Sequence, residues 1–194
     1  MNLKVKEIFY SLQGEGGRQG EASIFIRLSE CNLNCDFCDT DFTEGTDMKT
    51  GEIISHIRQY PAKWIIWTGG EPTLQLTDDI LSFFKKEGYL QAIESNGLKK
   101  LSNLLDYKVI SPKGNTAYAR NINKEADEIR LPVQKGDVLP RISSLPDAQY
   151  YFLSPVFSED PNTTRDNINY CVEKIKSHPE WRLSIQIHKL IGIE

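Results

Sequence analysis

Three of the four cysteines, Cys31, Cys35 and Cys38, fall within eight residues, while Cys171 stands far away. This is not the spread of a secreted disulfide framework; in a reducing compartment a tight group of thiols serves metal binding or catalysis more often than cross-linking. Soft sulfur donors select zinc or iron–sulfur centres over hard cations. The count separates the two. A structural zinc wants four protein ligands, whereas a 4Fe-4S cubane held by three cysteines leaves one iron open to a substrate or cofactor. A zinc knuckle would need His56 or Cys171 to complete it. Cys171 shares a helical face with Ile168, Val172 and Ile175, the setting of a buried apolar thiol rather than a ligand. A second motif, Thr68-Gly69-Gly70-Glu71-Pro72, closes the apolar run Trp64 to Trp67, and adjacent glycines let backbone groups approach a ligand closely.

The elements that must position these motifs alternate along the chain. Val5 to Phe9 and Ser23 to Leu28 read as strands around a glycine-rich loop, and the cysteines follow the second directly. Ile53, Ile54 and Ile57 recur at helical spacing and stop before Pro61; a second helix over Asp78 to Glu87 stops at Gly88. Trp64 to Trp67, Gln91 to Glu94, Lys108 to Ile110, Glu128 to Leu131, Tyr150 to Leu153 and Leu183 to Ile187 read as strands, with a helix over Arg165 to Lys176. Strand and helix in alternation favour a parallel sheet, which places the glycine motif at a carboxyl edge where such folds bind ligands. Residues 112–146 lack a helical period, so one crossover there is expected to be loop or strand.

The spacing Cys31-Asn32-Leu33-Asn34-Cys35-Asp36-Phe37-Cys38 resembles the cluster loop of the radical S-adenosylmethionine (SAM) superfamily, and the Gly-Gly motif resembles its glycine-rich segment. The match narrows with Tyr10-Ser11-Leu12-Gln13-Gly14-Glu15-Gly16, Phe25-Ile26-Arg27, Cys38-Asp39-Thr40-Asp41, Glu94-Ser95-Asn96-Gly97, Ser111-Pro112-Lys113, Ser154-Pro155-Val156-Phe157 and the segment from Gln186 to Gly192. Together these resemble the 7-carboxy-7-deazaguanine synthase family over most of the chain. The resemblance implies a 4Fe-4S cluster, SAM and magnesium, and a radical ring contraction of 6-carboxy-5,6,7,8-tetrahydropterin with loss of ammonia. It also implies a homodimer, and an electron donor such as flavodoxin or ferredoxin. A glycyl-radical-enzyme activase is the alternative enzyme, sharing the cluster loop but acting on a protein backbone.

Carried over residue by residue, the resemblance assigns Cys31, Cys35 and Cys38 to the cluster and Thr40 to magnesium. Asp39 and Asp41 look the more obvious magnesium ligands, but the family pattern puts Asp39 with Phe37 and Cys38 against SAM. Gly70, Glu94, Ser111, Pro112, Lys113, Ser154, Pro155, Val156 and Phe157 complete the implied SAM set, Glu94 as an acceptor for ribose hydroxyls. Leu12, Gln13, Gly14, Arg27, Thr68 and Glu194 are implied on the substrate. Arg27 in an otherwise apolar strand suits a carboxylate, since its fork of donors matches that group bidentately. By themselves Lys113 reads as a solvated lysine, Gly14 as a turn residue, and His188, in a strand, as a structural donor. Ser95, Ser154 and Glu194 depart from residues common in the family: threonine, glutamine and proline.

Length and charge set outer limits. At 194 residues and 39% hydrophobic, one domain spanning 1–194 is expected. A full eight-fold barrel needs about 250 residues, so the expectation is an α/β fold: a partial, pared-down (β/α)6 radical SAM barrel of about six units, with some crossover helices replaced by loops or short strands. With 23 Lys plus Arg against 27 Asp plus Glu and no basic run, no nucleic-acid partner is expected. The amino terminus has neither a signal-peptide core nor a membrane span, so a cytoplasmic protein with a small-molecule partner is expected.

Overall fold

The computed structural model describes residues 1–36, 38, 42–114 and 116–193. The chain begins with a long strand, β1 (Asn2–Leu12), and returns antiparallel to it as β2 (Ala22–Leu28) after the glycine-rich loop. A short strand, β3 (Thr46–Lys49), pairs with the free edge of β1 and runs into the helix α1 (Thr50–Ile57). From β2 onward each added strand is parallel to its neighbour: β4 (Trp64–Gly69), β5 (Leu90–Ser95), β6 (Tyr107–Ile110), β7 (Glu125–Val133), β8 (Asp147–Pro155) and β9 (Arg182–Leu183). The crossovers use α2 (Asp78–Lys86), α3 (Thr116–Ile122) and α4 (Pro161–Ser177), and α5 (Ile187–Ile191) follows β9. Among the described residues these strands form one open sheet in the order β3-β1-β2-β4-β5-β6-β7-β8-β9. The β5–β6 crossover has no helix and the β7–β8 crossover only a 3₁₀ turn at Ile142–Ser144, so the barrel is pared down as expected.

The local signals that form the helices are visible. Thr77 caps α2 by accepting from the Ile80 N–H, and Asp78, Asp79 and then Lys85, Lys86 match the helix dipole at its two ends. Asp160 accepts from the backbone of Asn162 and Thr163, starting α4 about one turn earlier than the apolar period suggested. One face of the sheet packs against these helices: Ile24, Ile26, Leu28, Ile65 and Trp67 meet Ile53, Ile57, Leu81 and Phe84, all essentially closed to solvent. Cys171 is in this core and fully buried, and its desolvated thiol is pushed up to about 12.

Three sequence expectations needed correction. The region after Pro112 has one crossover without an α-helix, β7–β8, as expected, but it also contains the helix α3, whose seven residues are too few to show a period; its Ala119 packs against the core. The strand expected over Leu183 to Ile187 pairs only through Arg182 and Leu183. Beyond it the Ile187 N–H bonds to the Gly14 carbonyl, and α5 ends on Gly192 in the left-handed region, so His188 is helical rather than extended. Strand β3, polar and exposed, carried no apolar signal.

Because side chains alternate across a strand, the opposite face of the sheet collects a second set. Phe25, Ile66 and Ala92 form a small apolar layer with Phe9, Trp64 and Tyr107. One period further toward the carboxyl ends the same face turns polar, with Arg27 opposite Thr68 in the β2–β4 register and Glu94 on β5.

Candidate active site

The polar end of this face opens into a cavity of about 600 Å³ that contains all three clustered cysteines together with Arg27, Thr68 and Glu94. The cysteine loop leaves β2 through Glu30, the one non-glycine residue with a left-handed backbone among the described residues (φ 73°). Such a conformation costs of order 1–3 kcal/mol and persists only where surrounding contacts enforce it. Here the Glu30 N–H bonds to the Phe42 carbonyl at 3.0 Å and its own carbonyl accepts from the Glu71 N–H at 2.8 Å. Within the loop, the Cys38 N–H donates to the Cys35 carbonyl at 3.0 Å and the Leu33 N–H to the Cys31 sulfur at 3.4 Å. Desolvation raises the Cys31 thiol above its ordinary value despite that backbone donor, so metal loading there must displace a proton. Among the described residues no group of three or more His, Cys, Asp or Glu side chains is drawn together as for a single metal ion. The donor set itself, three thiols from one loop beside a cavity with room for a further ligand, fits an iron–sulfur centre with one open site.

The Gly-Gly motif serves this loop directly. A Cβ on Gly70 would lie 1.9 Å from the Glu30 carbonyl oxygen, and one on Gly69 (φ 116°) 2.1 Å from the Leu28 carbonyl oxygen. The glycines therefore let the end of β4 pack against the backbone that launches the cysteines, a nearer cause than ligand approach. Glu71, 1% exposed, then braces three segments. Its carboxylate accepts from the Ser95 hydroxyl (2.9 Å), the Asn96 N–H (2.8 Å) and both the N–H (3.1 Å) and hydroxyl (2.6 Å) of Thr73. Asn96 in turn donates to Asn32 of the cysteine loop at 2.8 Å. Glu71→Ala leaves those buried donors unpaired; we expect a loss of about 2–4 kcal/mol in a denaturant unfolding curve, with Glu71→Gln losing less. Unchanged midpoints for both variants would refute the brace.

Glu94 is the hub of the polar face. Gln13 Nε2 and Arg130 Nη1 each donate to its Oε1 at 3.1 Å, and the Thr68 hydroxyl donates to Oε2 at 3.0 Å. Burial alone would raise its pKa, but the Arg130 guanidinium and these donors outweigh that and hold the carboxyl below the usual range. Three donors leave about one of the roughly four acceptor positions of a carboxylate for a ligand. Arg27 donates from Nε to Glu7 at 2.5 Å, with its guanidinium 5.7 Å from the Phe9 ring centre, which fixes the plane of the fork. Lys113 Nζ donates to Ser111 Oγ at 2.8 Å. Although much of Lys113 is solvent-accessible, its ammonium lies among enough protein for desolvation to lower its pKa, against the opposing pull of Cys35, Glu15 and Glu94.

Of the residues singled out from sequence, Leu12, Gln13, Gly14, Gly70, Ser111, Lys113 and Ser154 to Phe157 line the same cavity as the cysteines, Arg27, Thr68 and Glu94. Pro112 is buried and is not among the lining residues. Phe37, Asp39, Thr40 and Glu194 lie outside the described residues. The Gln13 amide is partly engaged internally, donating to Glu94 and accepting from the Glu15 N–H at 3.1 Å, which leaves one N–H and one acceptor position. The Ser154 hydroxyl is likewise engaged, by Glu15 at 3.2 Å and the Ser184 carbonyl at 3.3 Å.

Sequence reasoning gave no role to Glu15 or Arg130 and read His188 as a structural donor; all three line the cavity. A Cβ on Gly14 would fall 1.9 Å from His188 Nδ1, so that glycine is where α5 seats against the β1–β2 loop. Arg130 had a usable signal: charged Glu128 and Arg130 alternate with apolar Ile129 and Leu131, the period of a strand with one polar face.

No family model matches the chain. Among curated proteins, a 7-carboxy-7-deazaguanine synthase of Bacteroides thetaiotaomicron is 40% identical over 193 residues, covering 100% of both chains. One of Neisseria meningitidis serogroup B is 39% identical over 201 residues, covering 98% of this chain and 94% of its own. Among solved structures, QueE from Escherichia coli superposes with a TM-score of 0.73 at 24% identity, over 96% of this chain and 94% of that one.

Proposed function

Because the chain belongs to the 7-carboxy-7-deazaguanine synthase family of radical SAM lyases, we propose that its cavity contracts 6-carboxy-5,6,7,8-tetrahydropterin to 7-carboxy-7-deazaguanine with release of ammonia. The observation that carries this reading is the meeting of the three cysteines with Arg27, Thr68 and Glu94 in one cavity. Family membership takes the place of the activase alternative, which required a protein substrate. When bound, the cluster and SAM supply the hydrogen-atom abstraction that starts the rearrangement.

The chain's own residues bind and orient. Cys31, Cys35 and Cys38 would hold the cluster. Lys113 is suited to the SAM carboxylate, with the backbone at Gly70 and Ser111 and the Ser154–Phe157 segment lining the rest of that side. Arg27 meets the pterin carboxylate with a fork already fixed by Glu7 and Phe9. Gln13 and Thr68, expected on the substrate, both bond Glu94, expected on the ribose. Glu94 thus stands between the two ligands and, being ionised, offers its one remaining position there as an acceptor only. Leu12, Gly14 and the carboxyl-terminal segment to Glu194 close over the pterin, with Thr40 reserved for magnesium and Phe37 and Asp39 for SAM. In this reading the chain works in the cytoplasm as a single 1–194 domain within a homodimer, reduced by a donor such as flavodoxin or ferredoxin. No helix among the described residues is long and apolar enough to cross a membrane.

The test is anaerobic incubation of reconstituted protein with reductant, SAM, magnesium and the carboxytetrahydropterin, with products identified by mass. A deazaguanine acid formed without net loss of SAM is the expected result. SAM cleavage with no such product would sink the substrate assignment.

A further inference from the structure

Arg130, 6% exposed, holds three carboxylates from three parts of the chain. Its Nε and Nη2 donate to Oε1 of Glu128 at 3.0 and 2.5 Å, and its Nη1 donates to Glu15 Oε2 and to Glu94 Oε1, each at 3.1 Å. Glu128 is fully buried and its other oxygen accepts from the Gly17 N–H at 2.8 Å and the Tyr107 hydroxyl at 3.0 Å. Glu128 alone would neutralise the guanidinium. The two further carboxylates come from the β1–β2 loop and from β5, and both line the reaction cavity. Bringing acidic groups to a shared nitrogen in a desolvated site gives no packing advantage, so their arrangement calls for a role in the cavity.

We propose that Arg130 is a positioning residue for the ring contraction: by bonding both, it fixes Glu94 and Glu15 in place as a pair of acceptors for the pterin, with Glu128 as the buried counter-ion that orients it. This inference rests on the reading of the cavity as a pterin site. A tetrahydropterin presents several ring N–H groups and an amino group, all donors, and an ionised carboxylate can only accept. Two carboxylates sharing one site repel, and without the cation one of them takes up a proton and turns an acceptor into a donor. The pterin would then meet a mismatched edge. The charged and titratable groups around Glu94 are Arg130 and Glu128 on β7, Glu15 on the β1–β2 loop and Lys113 after β6, with neutral Gln13 and Thr68 completing the set. Arg130 is the cation that bonds it directly.

Glu128→Gln, Arg130→Lys and the double variant Glu128→Gln/Arg130→Met separate this role from a structural one. The double variant removes the guanidinium and its buried counter-ion together, so the fold is kept, as circular dichroism will check. In apoprotein labelled with ¹³C at glutamate side-chain carboxyls, Glu94 should titrate below the usual range in the parent and in Glu128→Gln. In the double variant it should titrate about one pH unit or more higher. In reconstituted enzyme the acid limb of kcat/KM for the carboxytetrahydropterin should move up by the same interval and its KM rise about tenfold or more, while Arg130→Lys raises KM but leaves the limb in place. A folded double variant that matches Glu128→Gln in titration and in KM overturns the proposal. Failure of the parent to convert the pterin would instead sink the substrate reading, and the apoprotein titration would still decide what Arg130 does.

Discussion

Cys35→Ala protein is expected to fold as the parent does, to lose its iron–sulfur chromophore, and to fall to background in product formation. The argument is about ligand count. Three thiolates are the minimum that holds a cubane with one open iron, and the loop offers no spare: the only other cysteine, Cys171, is fully buried in the helix-side core. Stability should barely change. Cys35 lies in the loop after β2, outside every strand and helix, and substitutions in such positions stay within about 0.5 kcal/mol. Iron content and the visible spectrum after anaerobic reconstitution, set beside the thermal midpoint, separate loss of cluster from loss of fold. Turnover by a Cys35→Ala protein that retains its chromophore would refute the ligand assignment, and a colourless parent carrying one zinc would refute the cluster itself.

How far the site could be read from the chain depended on whether its residues are close in sequence. The cysteine loop and the Gly-Gly motif are contiguous, so their chemistry was open to inspection before any fold was known. Arg27 stood out because a guanidinium interrupts an apolar strand. Arg130 carried only the weaker signal of a charge alternating with apolar neighbours, and its role was not legible because its partners Glu15 and Glu94 lie 115 and 36 residues away and meet it only once the sheet is assembled. The same holds for Glu71. Spacing suggested a ligand-binding turn, whereas its carboxylate ties Thr73, Ser95 and Asn96 together, a function set by tertiary neighbours.

The carboxyl-terminal misreading has a local cause. Leu183, Ile185 and Ile187 alternate with polar residues, the signature of a strand, yet only the first pairs with β8. The chain is then diverted by contacts with the first loop: Gly16 N–H to Ser184 Oγ at 2.9 Å, Gln19 to the Ile185 carbonyl at 3.0 Å, and Gln186 to Glu15 at 2.6 Å. These tie the two ends of the chain into one wall of the cavity. The pairing costs a strand its length and gives the site His188 in its place, directly against Gly14.

Gly70→Ala tests whether the glycine motif acts through the cysteine loop. The added methyl would sit 1.9 Å from the Glu30 carbonyl oxygen, 2.5 Å from its carbonyl carbon and 3.1 Å from the Cys31 nitrogen, and Cβ contacts under 3.0 Å essentially do not occur. Something must therefore move by about an ångström, and both sides are backbone. Glu30 has little freedom to yield, since its left-handed conformation is held by bonds to Phe42 and Glu71. The displacement passes to Cys31, next in the chain. A misplacement of that size at a reacting centre costs on the order of a hundredfold in rate, and overpacking against backbone costs about 1–3 kcal/mol in stability. The expected signature is a lowered unfolding midpoint with reduced iron per chain after reconstitution. Gly51→Ala supplies the contrast, because a Cβ there meets nothing within 4 Å and the residue lies in α1, where alanine is favoured by about 1 kcal/mol. If Gly70→Ala bound iron and turned over like Gly51→Ala, the close approach of β4 to the cysteine loop would have no part in building the site.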